Sequence, residues 1–200
     1  FFGYAPEFYD DAADVFSATD IVVPATTTVF GIDASLSAGA SLAGTVTGPD
    51  ELTPLPDIQV TAYYPSGLGW SGQIVSTDSS GSYTIQGLAP GDYRIEFRDP
   101  AGNYIAEYYD DRPDLTSALD VTLAGGATVT GLDASLAVAG RISGQLYGPD
   151  GIAPATGITV SVYAGSGSSW TWVSGGSSDA AGAYQVGGLT AGTYRVQFSD

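Results

Sequence analysis

The 200-residue sequence contains no cysteine, no histidine, no lysine and no methionine. Without cysteine it forms no disulfide and offers no thiolate to zinc or to a carbonyl carbon. Without histidine it lacks the commonest general base and the commonest metal ligand. A Ser-His-Asp triad, a Cys-His pair, a Schiff-base lysine and a P-loop lysine are all excluded. Paired carboxylates remain as a catalytic route, but every acid pair here falls in a turn or an acidic loop. No catalytic residue and no enzymatic activity are therefore expected. All-oxygen coordination remains as a metal route, and it suits calcium. Long hydrophobic runs are also missing, so no helix spanning a membrane is expected. Cations are few: five arginines stand against 22 acidic residues, a net charge of −17. Such a surface repels nucleic acid and anionic membranes. Neither methionine nor a signal-peptide pattern occurs, so the sequence is expected to be a mature piece or a window onto a longer, exported chain.

Glycine (28 residues), serine, threonine and aromatics dominate what is present. This is the balance of short strands joined by tight turns. The sequence also repeats itself at an offset of 100 residues. EFYDDAAD from Glu7 aligns with EYYDDRPD from Glu107, and TVFGIDASL from Thr28 aligns with TVTGLDASL from Thr128. Trp70 aligns with Trp170. One extra residue then enters the second copy, so that DSSGSYTIQGLAPGDYRIEFRD from Asp78 aligns with DAAGAYQVGGLTAGTYRVQFSD from Asp179. Period-two alternation marks strands. Ile58, Val60, Ala62 and Tyr64 share one face; Tyr93, Ile95 and Phe97 share another, with Arg94 and Glu96 opposite. Segments from Thr27 and from Ser41 also read as strands. DSSG and DAAG read as type I turns, and the acidic stretch from Glu7 reads as a loop rather than a helix.

The ordered motifs resemble the carboxypeptidase-regulatory-like and Cna-B-like domains of bacterial surface proteins. The order runs from G-x-V-x-G in the strand after Leu42, through T-D-x-x-G-x-Y and G-L-x-x-G-x-Y-R-I-x-F, to the tyrosine-rich stretch ending at Tyr109. It begins again at Ile142. The resemblance implies an all-β fold of tandem immunoglobulin-like or prealbumin-like antiparallel β-sandwiches, each of seven strands. It implies an extracellular role, secreted or at the cell surface, as the stalk, fibre or adhesin arm of a filament. The alternative is a carbohydrate-binding accessory module of a secreted polysaccharide-degrading enzyme. Many Cna-B domains carry a Lys–Asn or Lys–Asp isopeptide bond, which a lysine-free chain cannot form. The register divides the sequence into 1–37, closing strands of a preceding repeat; 38–138, a complete sandwich; and 139–200, opening strands of a following repeat. Neighbouring copies of the repeat are the expected partners, stacked head-to-tail or completing each other's sheets by strand addition.

Two sets of residues are candidate sites. Asp10, Asp11 and Asp14, repeated as Asp110, Asp111 and Asp114, are candidate calcium ligands; the competing reading is a solvated acidic loop. Trp70, Trp170 and Trp172 lie in Gly/Ser-rich segments, and Tyr108 and Tyr109 put one ring on each face of a strand. These five aromatics are candidate contacts between units or with a polysaccharide. Packing predicts Trp70 and Trp170 buried; sugar binding predicts them exposed, coplanar and lining a groove. No other cofactor is expected.

Overall fold

The computed structural model describes residues 3–67 and 69–200. Among them all regular structure is β-strand, and no helix is present. The chain divides into two compact units. The first comprises Phe1–Val46, Pro54–Phe97 and Glu107–Ala134; the second comprises Thr47–Thr53, Arg98–Ala106 and Ser135–Asp200.

The first strand set begins with β1 (Ala40–Thr47), β2 (Gln59–Ser66), β3 (Gly69–Ser76), β4 (Ser82–Leu88) and β5 (Gly91–Arg98). Four short strands follow: β6 (Glu107–Tyr108), β7 (Val121–Leu123), β8 (Thr128–Val129) and β9 (Ala134–Ser135). One sheet runs β4-β1-β8, with β9 also on β1; the other runs β3-β2-β5-β6, with β7 also on β5. β6 pairs with Glu96 and Phe97, whereas β7 pairs with Gly91 to Tyr93, so the two share one edge of β5. Counting β6 with β7 and β8 with β9 gives the seven positions that the resemblance implies. The alternation predicted for β5 is observed: Tyr93, Ile95 and Phe97 are buried, with Arg94 and Glu96 partly exposed on the opposite face. The two sheets meet through the rings of Tyr83 and Phe97, edge to face at 5.9 Å. Leu42, Val46, Ile58, Val60, Ile85 and Ile95 enclose that contact as the core.

The second strand set consists of β10 (Gly140–Gln145), β11 (Thr159–Ser166), β12 (Ser169–Ser177), β13 (Ala183–Leu189) and β14 (Tyr194–Ser199). Its sheets are β10-β13 and β12-β11-β14. Each pairing matches one in the first set, down to local detail. The Thr77 hydroxyl accepts from the Ile58 N–H and donates to the Leu55 carbonyl (2.9 and 2.6 Å). Ser178 does the same between Ile158 and Ala155 (3.0 and 2.7 Å). The extra residue of the second copy is absorbed as a β-bulge: Val162 pairs with Ser174 and Tyr163 with Trp172, which leaves Val173 without an opposite residue.

One predicted strand is not formed. Residues 27–36 carry no strand pairing among the described residues, although the aligned Thr128–Val129 and Ala134–Ser135 are strands. The difference is physical: an extended segment becomes a strand only where a neighbour takes up its N–H and C=O groups. β1 does this for residues 128–135; among the described residues no strand does so for residues 27–36.

Candidate functional site

The strongest candidate is a segment and the sheet pair it closes. Residues 107–136 leave β5, return along its edge as β7, and cross to lie on β1 as β8 and β9. Several contacts hold them there. The Asp133 carboxylate accepts from both the N–H and the hydroxyl of Thr45 (2.7 and 2.8 Å). The Tyr83 hydroxyl donates to the Leu132 carbonyl at 2.7 Å. Burial raises the Tyr83 pKa well above its ordinary value, with the Asp133 charge adding to the effect; the ring therefore stays a neutral donor. Gly44 is needed at this crossing, because a Cβ there would lie 2.2 Å from the Leu132 carbonyl oxygen. Arg94 donates to Asp120 (2.7 Å) and to the Leu115 carbonyl (2.6 Å), and its guanidinium covers the Trp70 ring at 4.8 Å. Val121, Leu123, Leu132 and Leu136 become buried. Enclosing one such side chain stabilises by about 1.5–3 kcal/mol.

Residues 7–36 carry the same pattern without that cover. The turn survives, with Phe8 bridging Ala12 as Tyr108 bridges Arg112. Beyond it, Val22, Val23 and Phe30 are exposed, and Ile32 and Leu36 are 42% and 48% exposed where Leu132 and Leu136 are 3% and 0%.

The second strand set shows the complementary deficit. Among the described residues nothing takes the place of β6–β9 on it. Val160, Val162, Val186 and Leu189 form a small buried core, while Ile142, Leu146, Tyr184, Tyr194 and Val196 are only partly covered. Phe198 is 47% exposed, although the aligned Phe97 is fully enclosed. A groove of about 550 Å³ opens beside Ser143, Gly144, Tyr184 and Gln185. It borders the positions that match Gly44 and Tyr83, the two residues over which Leu132 passes in the first set. Arg195 covers Trp170 at 4.1 Å and has no carboxylate partner among the described residues.

Of the predicted site residues, Tyr108, Tyr109, Asp110, Asp111 and Asp114 lie at the start of the closing segment, Asp10, Asp11 and Asp14 lie in the matching turn, and the tryptophans lie in β3 and β12. Asp10, Asp11, Asp110 and Asp111 all adopt positive φ, from 56° to 67°, which short polar side chains tolerate in tight turns. The Asp14 and Asp114 carboxylates accept from the N–H groups of Ser17 and Ser117 (2.9 and 2.8 Å), and these bonds lower both pKa values. Among the described residues no three acidic groups are gathered closely enough to hold a metal ion. These hydrogen bonds give the loops a folding role. Half-burial, helped by the Asp111 charge, pushes the Glu107 carboxyl up to about 7. Trp70 and Trp172 are exposed at 40% and 56%, and Trp170 is half-buried. One face of Trp70 and one of Trp170 is taken up by arginine. Tyr108 and Tyr109 are both half-buried; the Tyr108 ring lies 6.3 Å from Tyr63. The residues that matter at the crossing, Gly44, Tyr83, Arg94 and Asp133, were not singled out as site residues from the sequence. The repeated G-[IL]-D-A-S-L motif is the available signal for Asp133, although its pattern by itself indicates only a strand.

A carboxypeptidase regulatory-like domain model matches residues 41–136. Residues 41–136 are a carboxypeptidase regulatory-like domain. That domain takes in the closing segment through Leu136 as well as β1–β5. No curated protein matches the chain. Among solved structures, a streptococcal ancillary pilin is similar at a TM-score of 0.39 and 16% identity, covering 80% of this chain and 53% of the pilin. The chain thus spans about half of that pilin's length. The shaft pilin SpaA of Lactobacillus rhamnosus GG gives a TM-score of 0.31 at 12% identity, covering 81% and 87%. A Bacteroides uniformis protein named for carbohydrate binding gives 0.32 at 11%, covering 80% and 79%. Likenesses this distant carry no functional argument beside the regulatory-like domain itself.

Proposed function

We propose that the chain is a structural repeat region of an extracellular stalk, fibre or adhesin arm. In this reading residues 38–138 are one sandwich, 1–37 close a preceding one and 139–200 open a following one. Units stack head-to-tail, and a closing segment covers the sheet pair of the sandwich it meets. One observation carries the reading: residues 7–36 repeat the pattern of residues 107–136, yet leave exposed the apolar side chains that the later segment buries. Exposed strand edges and apolar faces of this kind are normally covered by a partner. The absence of cysteine, histidine and lysine supports a non-catalytic role, and the acidic charge favours solubility outside the cell. The exposure of Trp70 and Trp172 is what the sugar-binding alternative expects, but arginine already covers one face of Trp70 and of Trp170. Sedimentation across a concentration series tests the proposal. Linear oligomers that lengthen with concentration are expected; a monomer persisting to about 100 μM, a weak-affinity limit, would falsify head-to-tail stacking.

A further inference from the structure

The head-to-tail reading leaves open where a closing segment docks and what fixes its register. We infer that the sheet pair β10–β14 is a docking seat for residues 20–36 of a second copy of this chain. The register is the one that residues 120–136 hold on β1–β5, and the inference rests on the head-to-tail reading. The repeat identifies the occupant: the aligned seat in the first strand set is filled by the segment whose sequence residues 20–36 repeat.

The main contacts of the crossing have counterparts, whereas the hydroxyl bonds of Thr45 to Asp133, Ser41 to Thr128 and Thr122 to Asp92 do not, because Gln145, Arg141 and Val22 stand at the matching positions. Asp33 accepts from the Gln145 backbone N–H, as Asp133 does from Thr45. The Tyr184 hydroxyl donates to the Ile32 carbonyl, as Tyr83 does to Leu132. Ile21 and Val23 lie alongside Tyr194 and Gly192, as Val121 and Leu123 lie alongside Tyr93 and Gly91. Asp20 meets Arg195, as Asp120 meets Arg94 at 2.7 Å. At Gly144 the nearest atoms to an added Cβ belong to the Tyr184 ring, at 2.8 to 3.0 Å, whereas a Cβ at Gly44 meets the Leu132 backbone itself; the Tyr184 ring therefore has to swing aside as the segment docks. Leu36 then takes the enclosed place of Leu136, and the exposed Phe198 is covered as Phe97 is. Backbone hydrogen bonds supply affinity in such strand addition, and alternate side chains supply specificity.

The test uses a fluorescent peptide of residues 18–36 added to the full chain. Saturable one-to-one binding is expected, with new amide-exchange protection in β10 and β14. Ile32→Asp with Leu36→Asp in the peptide should weaken binding at least about tenfold. Gly144→Val in the chain should do the same; the peptide variants keep the test valid if that chain variant misfolds. Equal binding of the native and doubly substituted peptides, or no saturation, overturns the seat. The two proposals fail separately. A chain that binds the peptide but stays monomeric refutes head-to-tail stacking and upholds the seat. Oligomers that form without peptide binding refute the seat and uphold stacking.

Discussion

Leu36 and Leu136 end the same G-[IL]-D-A-S-L motif, yet one is 48% exposed and the other fully enclosed. The same contrast separates Phe198 from Phe97 on the other side of the interaction, with 47% against no exposure. The sandwich of β1–β9 therefore shows which of its contacts depend on the closing segment and which do not. Val160, Val162, Val186 and Leu189 stay buried without it. Tyr184, Tyr194 and Val196 are left half-covered. Hairpins and the centre of the sheet pair assemble from local contacts, whereas the rim of the core is supplied by a segment far along the chain.

Truncation at the two matched leucines gives the largest expected difference. Leu136→Ala empties an enclosed site and should destabilise the fold by about 2–5 kcal/mol. Leu36→Ala, measured in dilute monomer, should stay within about 0.5 kcal/mol. Urea denaturation of both variants checks this; a similar cost at the two positions would mean that residues 20–36 already have a partner within the monomer. The matched aspartates come next. Asp133→Ala removes a carboxylate that accepts two hydrogen bonds from Thr45 and should cost about 1.5–3 kcal/mol. Asp33→Ala should leave the monomer's denaturation midpoint unchanged, and its effect should appear only on assembly.

The sequence carries the local half of this comparison. Alternation in β5 is readable because Tyr93, Ile95 and Phe97 are bulky and regularly spaced. The DSSG turn is readable because Asp78 accepts from the N–H groups of Ser80 and Ser82 (2.8 and 3.0 Å) and Gly81 adopts φ 74°. Both features arise within a few residues. The role of Asp133 depends on Thr45, 88 positions away, and no periodicity encodes that pairing. Residues 27–36 show the converse failure, since a strand pattern describes what a segment can pair with and says nothing of whether the neighbour is present. The acidic clusters are ambiguous for a related reason: the composition that suits calcium also suits positive-φ turns, and Asp110 and Asp111 adopt positive φ.

The glycine pair sharpens the contrast at a single crossing. Gly44→Ala places a Cβ 2.2 Å from the Leu132 backbone oxygen, which should cost about 1–3 kcal/mol because the backbone has to shift. Gly144→Ala first meets atoms of the Tyr184 ring, from 2.8 Å, and a half-covered side chain can move where the Leu132 backbone cannot. Thermal melting of the two variants should therefore differ by several degrees. Equal melting temperatures would show that the closing segment does not press on β1 as tightly as the distance indicates.

Glu107 gives the smallest expected effect and confines it to one unit. Its carboxyl is pushed up to about 7 by burial and by Asp111, from 4.5 in the open chain. Between those values the folded chain keeps a proton that the unfolded chain has released. Unfolding then releases that proton, so stability falls as the pH rises from about 4.5 to about 7 and levels off above. The group is half exposed, and solvent screening reduces the contribution to the order of 1 kcal/mol. Asp78 and Asp114 act in the opposite sense and lower in pH. Their pKa values are depressed by hydrogen bonds, so their contribution is present above about 3.8 and lost as the pH falls through the depressed values. Glu107→Gln should remove the slope between pH 4.5 and 7 while leaving the acid limb in place. Amide exchange should locate the lost slope in β5 and β6, because Phe97 pairs with Glu107 there. β11 and β14 should not respond, since no residue of the closing type lies on them. A slope that survives the substitution, or that appears equally in both strand sets, would place the titrating group somewhere other than the start of the closing segment.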